Sequence, residues 1–241
     1  FVDVPRKRIV FDYTFDGIMR SYHDSIARLG TDLIDVLLLH DLDAAAHGQA
    51  GEDRNLHQLF SLGGYRALTE LRDAGCITGI GAGVNSWQIC ARLLGEADFD
   101  GFLLAGRYTL LEQEPLDSFL PRRSERELGC CLGRPFFSGS LATGALEGAR
   151  DNYAPAPEDV MERVRKLDAV CAAHDTPLIA AALQFPLGHD AVKTVIPGAS
   201  SADEVRQNAA IFETRIPSAL WSDLKSEGLI RPDAPTPQAE Q

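Results

Sequence analysis

The stretch Leu37-Leu38-Leu39-His40-Asp41-Leu42-Asp43 places an imidazole and two carboxylates directly after three leucines. An apolar segment that ends this way delivers ionisable groups where the chain leaves the core. An imidazole there can donate a hydrogen bond to a reacting oxygen or exchange a proton with it. Asp41 and Asp43 read first as loop or helix-cap carboxylates. With His40 they could also ligate a metal, but such a site needs further imidazoles at equivalent positions. His47, His57, His174 and His189 fall instead in loops or at helix ends, so no metal is expected.

The same pattern recurs along the chain. The apolar run through Gly79–Val84 ends on Asn85 and Ser86, and the run in Phe102–Leu104 leads to Tyr108. A run through Cys130–Leu132 leads into Pro135–Gly144, and Val192–Ile196 leads into Pro197 and Gly198. Each case also has a plain structural explanation. His40 can be a satisfied core histidine, Tyr108 ordinary core, and the glycines of GIGAGV a packing device. The segment Ser200-Ser201-Ala202-Asp203-Glu204-Val205 has the chemistry of a helix N-terminus with an acidic first turn. The functional reading rests on the coincidence of several such groups at successive segment ends.

Those groups require elements to hold them. Helical spacing runs from Asp16 to Leu29 and stops at Gly30; further helices are expected over Leu59–Ala74, Ser86–Leu94 (stopped by Gly95), Pro115–Glu127, within Pro157–His174, and over Ala202–Phe212 and Pro217–Glu227. Between them lie five strand-like runs: LIDVLLLH, which looks buried on both faces, ITGIGAGVN, FDGFLLAGRY, GCCLGRPF and VKTVIPG. PLIAAALQF continues the helical layer. Strand and helix alternate without a linker or close repeat, so residues 1–241 read as one α/β domain with a parallel sheet. The glycines of GIGAGV lie within a strand rather than in a GxGxxG opening a helix, which favours a (β/α)8 TIM barrel over a dinucleotide-binding open sheet. In such a barrel His40, Asn85, Tyr108, Pro135 and Ile196 would share the C-terminal end of the strands, where barrel sites are built.

A formal net charge of −12 sets the chain against phosphate backbones and anionic membrane surfaces, so neither nucleic acid nor membrane is an expected partner. No apolar run is long enough to span a bilayer, and the opening FVDVPRKRIVF does not read as a signal peptide. The five cysteines show no CxxC spacing, and Cys130 and Cys131 are adjacent, so a reduced, cytoplasmic protein is expected.

Taken together, FDYTFDGIMRSYHDSIARLGTDLIDVLLLHDLD, GIGAGVNSWQ, AGRYTLLEQ, PFFSGSLATGA and VIPGASSADEVRQN resemble the aldo-keto reductases, in the family's order and over essentially the whole chain. The wording is most similar to the branch acting on L-fucose, D-threo-aldoses and pyridoxal. The resemblance implies a barrel oxidoreductase that moves hydride between nicotinamide and a small carbonyl or hydroxyl compound. It assigns His40 to the substrate oxygen, Asn85 and Ser86 to the nicotinamide carboxamide, and Tyr108 to the nicotinamide face. Ala105 stands where many relatives carry a glutamine. Pro135, Phe136, Ser138, Gly139 and Leu141 match the segment that wraps the pyrophosphate, and Ile196, Gly198, Ala199, Ser201, Glu204 and Asn208 match the adenosine end. Relatives that prefer NADP place basic residues where this chain has Gly198 and Glu204; a carboxylate repels a ribose phosphate, so NAD is expected ahead of NADP despite the nearby Arg206. The family's tyrosine proton donor, with its aspartate and lysine, has no matching motif here, and five strands rather than eight are counted. An upstream portion is therefore expected to be missing from the sequence. The alternatives are a nicotinamide-binding regulatory module and, further off, a metal-dependent barrel hydrolase. The natural substrate and the oligomeric state are not read from the sequence.

Overall fold

The computed structural model describes residues 8–125, 129–145, 150–151 and 154–238. The chain divides into two compact units, Phe1–Ile80 and Gly81–Gln241.

The first unit contains α1 (Phe15–Leu29), β1 (Val36–His40), α2 (Ala44–His47), α3 (Gln49–Ser61), α4 (Gly64–Asp73) and the start of β2 (Gly79–Val84). Thr14 caps α1 by accepting the Gly17 N–H, and Gly30 ends it in the left-handed region with φ 65°. The helix expected over Leu59–Ala74 is instead two helices. Gly63, at φ 84°, turns the chain, and Gly64 opens α4 against the backbone of Tyr13. The segment after His40 is likewise helical rather than loop, and His57 lies inside α3. In β1 only Leu39 is buried. Val36 is 49% and Leu38 40% exposed, so the run is not covered on both faces as its composition suggested. Val36, Leu38 and His40 share one face by the strand's period of two. Thr78 and Gly79 both donate their N–H groups to the Asp35 carbonyl, which sets the approach to β2.

The second unit continues from β2 through α5 (Trp87–Glu96), β3 (Gly101–Ala105), α6 (Phe119–Glu125), β4 (Gly129–Gly133), α7 (Ser140–Thr143), the two-residue antiparallel pair β5 (Arg150–Asp151) and β6 (Ala154–Pro155), α8 (Glu158–Ala173), α9 (Leu178–Gln184), β7 (Val192–Ile196), α10 (Ala202–Phe212) and α11 (Ser218–Ser226). Its main strands pair in parallel in the order β2-β3-β4-β7, with Val84 opposite Leu104, Ala105 opposite Gly133, and Gly133 opposite Ile196. Every crossover between neighbouring strands carries helix, as parallel pairing demands. β2 is buried along nearly its whole length. Phe99, Phe102 and Phe119 pack together on one side of the unit's core, and Tyr108, Phe185 and Trp221 form a second aromatic row.

Glycine does not stop α5 as expected. Gly95 lies within it, where its cost of about 1 kcal/mol relative to alanine is outweighed by burial of Leu93 and Leu94. The helix expected from Pro115 is split into a 3-10 turn, Glu114–Asp117, and α6. β3 stops at Ala105 because Gly106 turns left-handed (φ 70°), and β4 stops at Gly133 because Arg134 does so (φ 56°). Tyr108 therefore lies beyond its strand rather than at its end. Among the described residues no helix is long and apolar enough to cross a membrane.

Candidate functional site

In the first unit His40 ends β1 with its side chain 78% exposed, and its Nε2 lies 3.4 Å from Asp41 Oδ2. Asp41 takes a left-handed φ of 47°, which bends the chain away immediately after the histidine. Asp43 is fully buried and caps α2 through a bond from the Ala46 N–H, so its role is the structural one. The Tyr13 hydroxyl donates to the His40 carbonyl at 2.6 Å, and burial pushes that phenol well above its usual pKa. Tyr13 thus acts as a neutral donor that fixes the backbone from which the imidazole projects. Tyr13→Phe is expected to cost about 1 kcal/mol, the worth of one hydrogen bond, with little packing loss. Chemical denaturation measures this, and an unchanged midpoint would show that the bond does not anchor the strand end. A cavity of about 430 Å³ lies over this corner, lined by Tyr13, Leu38, Leu39 and His40 together with Arg8 and Arg20.

In the second unit the strand ends converge. Arg107 Nε donates to the Asn85 carbonyl at 2.8 Å, and Arg134 Nη1 lies 3.4 Å from Asn85 Oδ1. The Gly106 N–H bonds the Gly133 carbonyl at 2.9 Å, and the Arg134 N–H bonds the Ile196 carbonyl at 3.2 Å. Asn85, Gly106, Arg107, Arg134 and Ile196 therefore form one cluster at the C-terminal end of four parallel strands. Ser86 stands at the N-cap of α5, its hydroxyl donating to Gln88 Oε1 at 2.8 Å. Sequence reasoning passed over both arginines. The signal was present as a repeat: β3 and β4 each run out into Gly-Arg, at Gly106-Arg107 and Gly133-Arg134.

Other expected site residues are placed differently. Tyr108 is fully enclosed, with Phe185 at 5.3 Å and His189 at 6.1 Å between ring centroids. A ring without an open face presents no platform to a planar ligand, so the structure makes Tyr108 a core residue. Pro135–Gly144 is not an open loop but a 3-10 turn, Phe137–Gly139, followed by α7. The N–H groups of Gly139 and Leu141 both point at the Phe136 carbonyl, at 2.9 and 3.2 Å, and Leu141 is itself buried. Ser138 falls in the same turn, after the buried Pro135.

Ser201 caps α10 by accepting the Glu204 N–H at 3.2 Å, while the Glu204 carboxylate accepts the Ser200 N–H at 2.6 Å and the Ser200 hydroxyl at 2.9 Å. This is the reciprocal logic of a capping box. The bonds from the Ser200 backbone and hydroxyl hold the Glu204 carboxyl below the usual carboxylate range, so it is ionised at neutral pH. Arg206 is paired with Asp203 at 2.5 Å, and Asn208 Nδ2 donates to the Gly198 carbonyl at 3.3 Å. An apolar groove of about 450 Å³ beside these residues includes Ala199 and Asn208 in its lining. Among the described residues no cluster of three or more His, Cys, Asp or Glu side chains is arranged to hold a metal.

The family model for aldo/keto reductases matches residues 5–227, and the chain belongs to that family. It is 45% identical over 223 residues to pyridoxal 4-dehydrogenase of Microbacterium luteolum, a match that takes in 92% of this chain. It is 36% identical over 228 residues to D-threo-aldose 1-dehydrogenase of a Pseudomonas species, covering 94% of this chain. The chain spans 65% of the length of each of these two relatives. Among solved structures, an aldo-keto reductase from Bacillus halodurans in its holo form superposes with a TM-score of 0.70 at 24% identity, over 94% of this chain and 68% of that one. The fold is accordingly the α/β fold of the aldo-keto reductases, as the alternation of strands and helices required.

Proposed function

We propose that this chain carries the nicotinamide-binding part of a dehydrogenase that oxidises a sugar or a pyridoxal-like compound. The observation that carries this reading is the 45% identity to pyridoxal 4-dehydrogenase across nearly the whole chain. The polar groups gathered at the strand ends agree with it. The amide of Asn85 and the hydroxyl of Ser86 match the donors and acceptors of a carboxamide, so the residues present fit that end of NAD. NAD, when bound, supplies the hydride acceptor. The imidazole of His40 directs a hydrogen bond at the substrate oxygen as its charge changes. At the pyrophosphate end the Phe136 carbonyl already takes the Gly139 and Leu141 N–H groups, so those two N–H groups contribute only if the turn opens.

NAD rather than NADP is the preferred cofactor in this reading. Glu204 is ionised, and Arg206 is turned toward Asp203, so the start of α10 offers a ribose hydroxyl an acceptor and a ribose phosphate a nearby carboxylate. Replacing Glu204 by lysine is expected to move the NADP-to-NAD affinity ratio by about tenfold toward NADP. Glu204→Gln serves as the control for loss of the cap. Equilibrium titration with both cofactors reads the ratio, and an unmoved ratio removes Glu204 from the adenosine site.

The function itself is tested by incubating the complete protein, with the family's proton-donor tyrosine, with NAD and a panel of aldoses and pyridoxal while following absorbance of the reduced nicotinamide. Formation of reduced cofactor supports the dehydrogenase. Binding of NAD without turnover in a protein that carries the family's proton-donor tyrosine supports a non-catalytic nicotinamide-binding module, and no binding at all overturns both.

A further inference from the structure

We propose that Arg107, backed by Glu112, is a positioning residue that sets Asn85 for the nicotinamide end of the cofactor; this rests on the reading of the strand ends as a nicotinamide site. Register alone brings the two residues near. Val84 lies opposite Leu104, so Asn85 follows β2 at the level where β3 gives way to Gly106. The left-handed Gly106, tied to the Gly133 carbonyl, turns the chain so that Arg107 reaches back over the end of β2.

The guanidinium is then divided between two partners. Its Nε takes the Asn85 carbonyl at 2.8 Å, and its Nη1 takes both Glu112 oxygens, at 3.0 and 3.2 Å. A planar fork held at two edges fixes direction as well as distance, which an ammonium does not. The arginine and glutamate side chains are 22% and 27% exposed, so solvent screens the pair only partly. Glu112 is itself fixed by a closed turn. Thr109 donates its N–H to the Glu112 carbonyl at 2.8 Å, and the Thr109 hydroxyl accepts the N–H groups of Leu111 and Glu112. The longer approach of Arg134 to Asn85 Oδ1 puts a second guanidinium beside the side-chain oxygen. Both carbonyl oxygens of Asn85 thus face cations, and the stronger bond holds its backbone.

A residue with this role matters to one end of the ligand only. Titration of the protein with NAD and with ADP-ribose, which lacks the nicotinamide, separates that role from general structural damage. Arg107→Gln is expected to weaken NAD by about tenfold while leaving ADP-ribose within about twofold. Arg107→Lys and Glu112→Gln should fall between the wild type and Arg107→Gln. In an Asn85→Ala background Arg107→Gln should cost nothing more, because the two residues then act as one unit. Equal losses for both ligands, or a full loss persisting without the Asn85 side chain, would overturn the proposal. A wild-type protein that binds neither ligand, or binds both equally well, would instead sink the nicotinamide reading itself, before any Arg107 variant is considered.

Discussion

Gly64→Ala is expected to destabilise the first unit by about 3 kcal/mol, the upper range for forcing a side chain into filled space. A Cβ at this position would lie 1.9 Å from the Tyr13 carbonyl oxygen, 3.0 Å from its carbon and 3.1 Å from the Leu59 Cα. All three neighbours are backbone, so no rotamer change relieves the clash. Nor can the Tyr13 segment retreat easily. The Tyr13 N–H is held by Gln58 Oε1 at 3.1 Å, and the Phe15 N–H by the Leu62 carbonyl at 3.1 Å. The displacement would be passed along Tyr13 to its hydroxyl and so to the His40 carbonyl, linking a helix-packing glycine to the candidate catalytic histidine. Gly75→Ala is the comparison: its φ of 72° is unfavourable for alanine, but the space around it is open, so about 1 kcal/mol is expected there. Urea denaturation of the two variants reads the difference. A Gly64→Ala midpoint no lower than that of Gly75→Ala would mean that the close approach relaxes without cost.

The contrast between these glycines shows what the sequence conveyed and what it did not. Gly30 and the helix before it were legible because a left-handed stop is a local property of one residue and its neighbours. α10 was legible from Ala202 to Phe212 for the same reason: Ser201 and Glu204 carry the capping chemistry within a single turn. The break at Leu62–Gly63 was not, since a pair of glycines within a helical pattern becomes a break only through what packs against it, here the backbone of Tyr13. Burial of β1 was overestimated because composition reports what a run could bury, not which face another element covers. At the candidate site, Asn85 stood out in the sequence because it ends an apolar run. Arg107 and Arg134 were missed because a guanidinium's role depends on the turn that aims it, and both turns rest on left-handed backbone that the types alone do not announce. Tyr108 shows the converse: an aromatic residue after a strand serves a ligand or the core according to tertiary neighbours such as Phe185.

Arg163→Met is expected to cost the second unit about 3 kcal/mol, the summed penalty of leaving two part-buried carbonyls without their charged donor. Arg163 projects from α8, half-buried, and donates Nη1 to the Leu111 carbonyl at 3.0 Å and Nη2 to the Leu229 carbonyl at 2.7 Å. Burial lowers its pKa from the usual arginine value, the mark of a guanidinium partly withdrawn from water to reach these two carbonyls. Neither partner lies in regular structure. Leu111 belongs to the turn that presents Glu112 to Arg107, and Leu229 begins the C-terminal segment after α11. That segment is bound again where the Arg231 N–H meets Gln113 Oε1 at 2.9 Å, but the Arg231 side chain makes exposed ion pairs, with Asp117 and Asp233. Such pairs contribute little, so Arg231→Met is expected to cost no more than about 1 kcal/mol. Arg163→Lys should lose part of the stability, because one ammonium does not reproduce the fork between two carbonyls. For a protein of this size the Arg163→Met penalty corresponds to a fall in Tm of about 6–12 °C. A fall of less than about 2 °C would show that water replaces the guanidinium at both carbonyls. Because the freed turn carries Glu112, the same variant should also weaken NAD more than ADP-ribose, which would tie the stability of this unit and the aim of Asn85 to one half-buried cation.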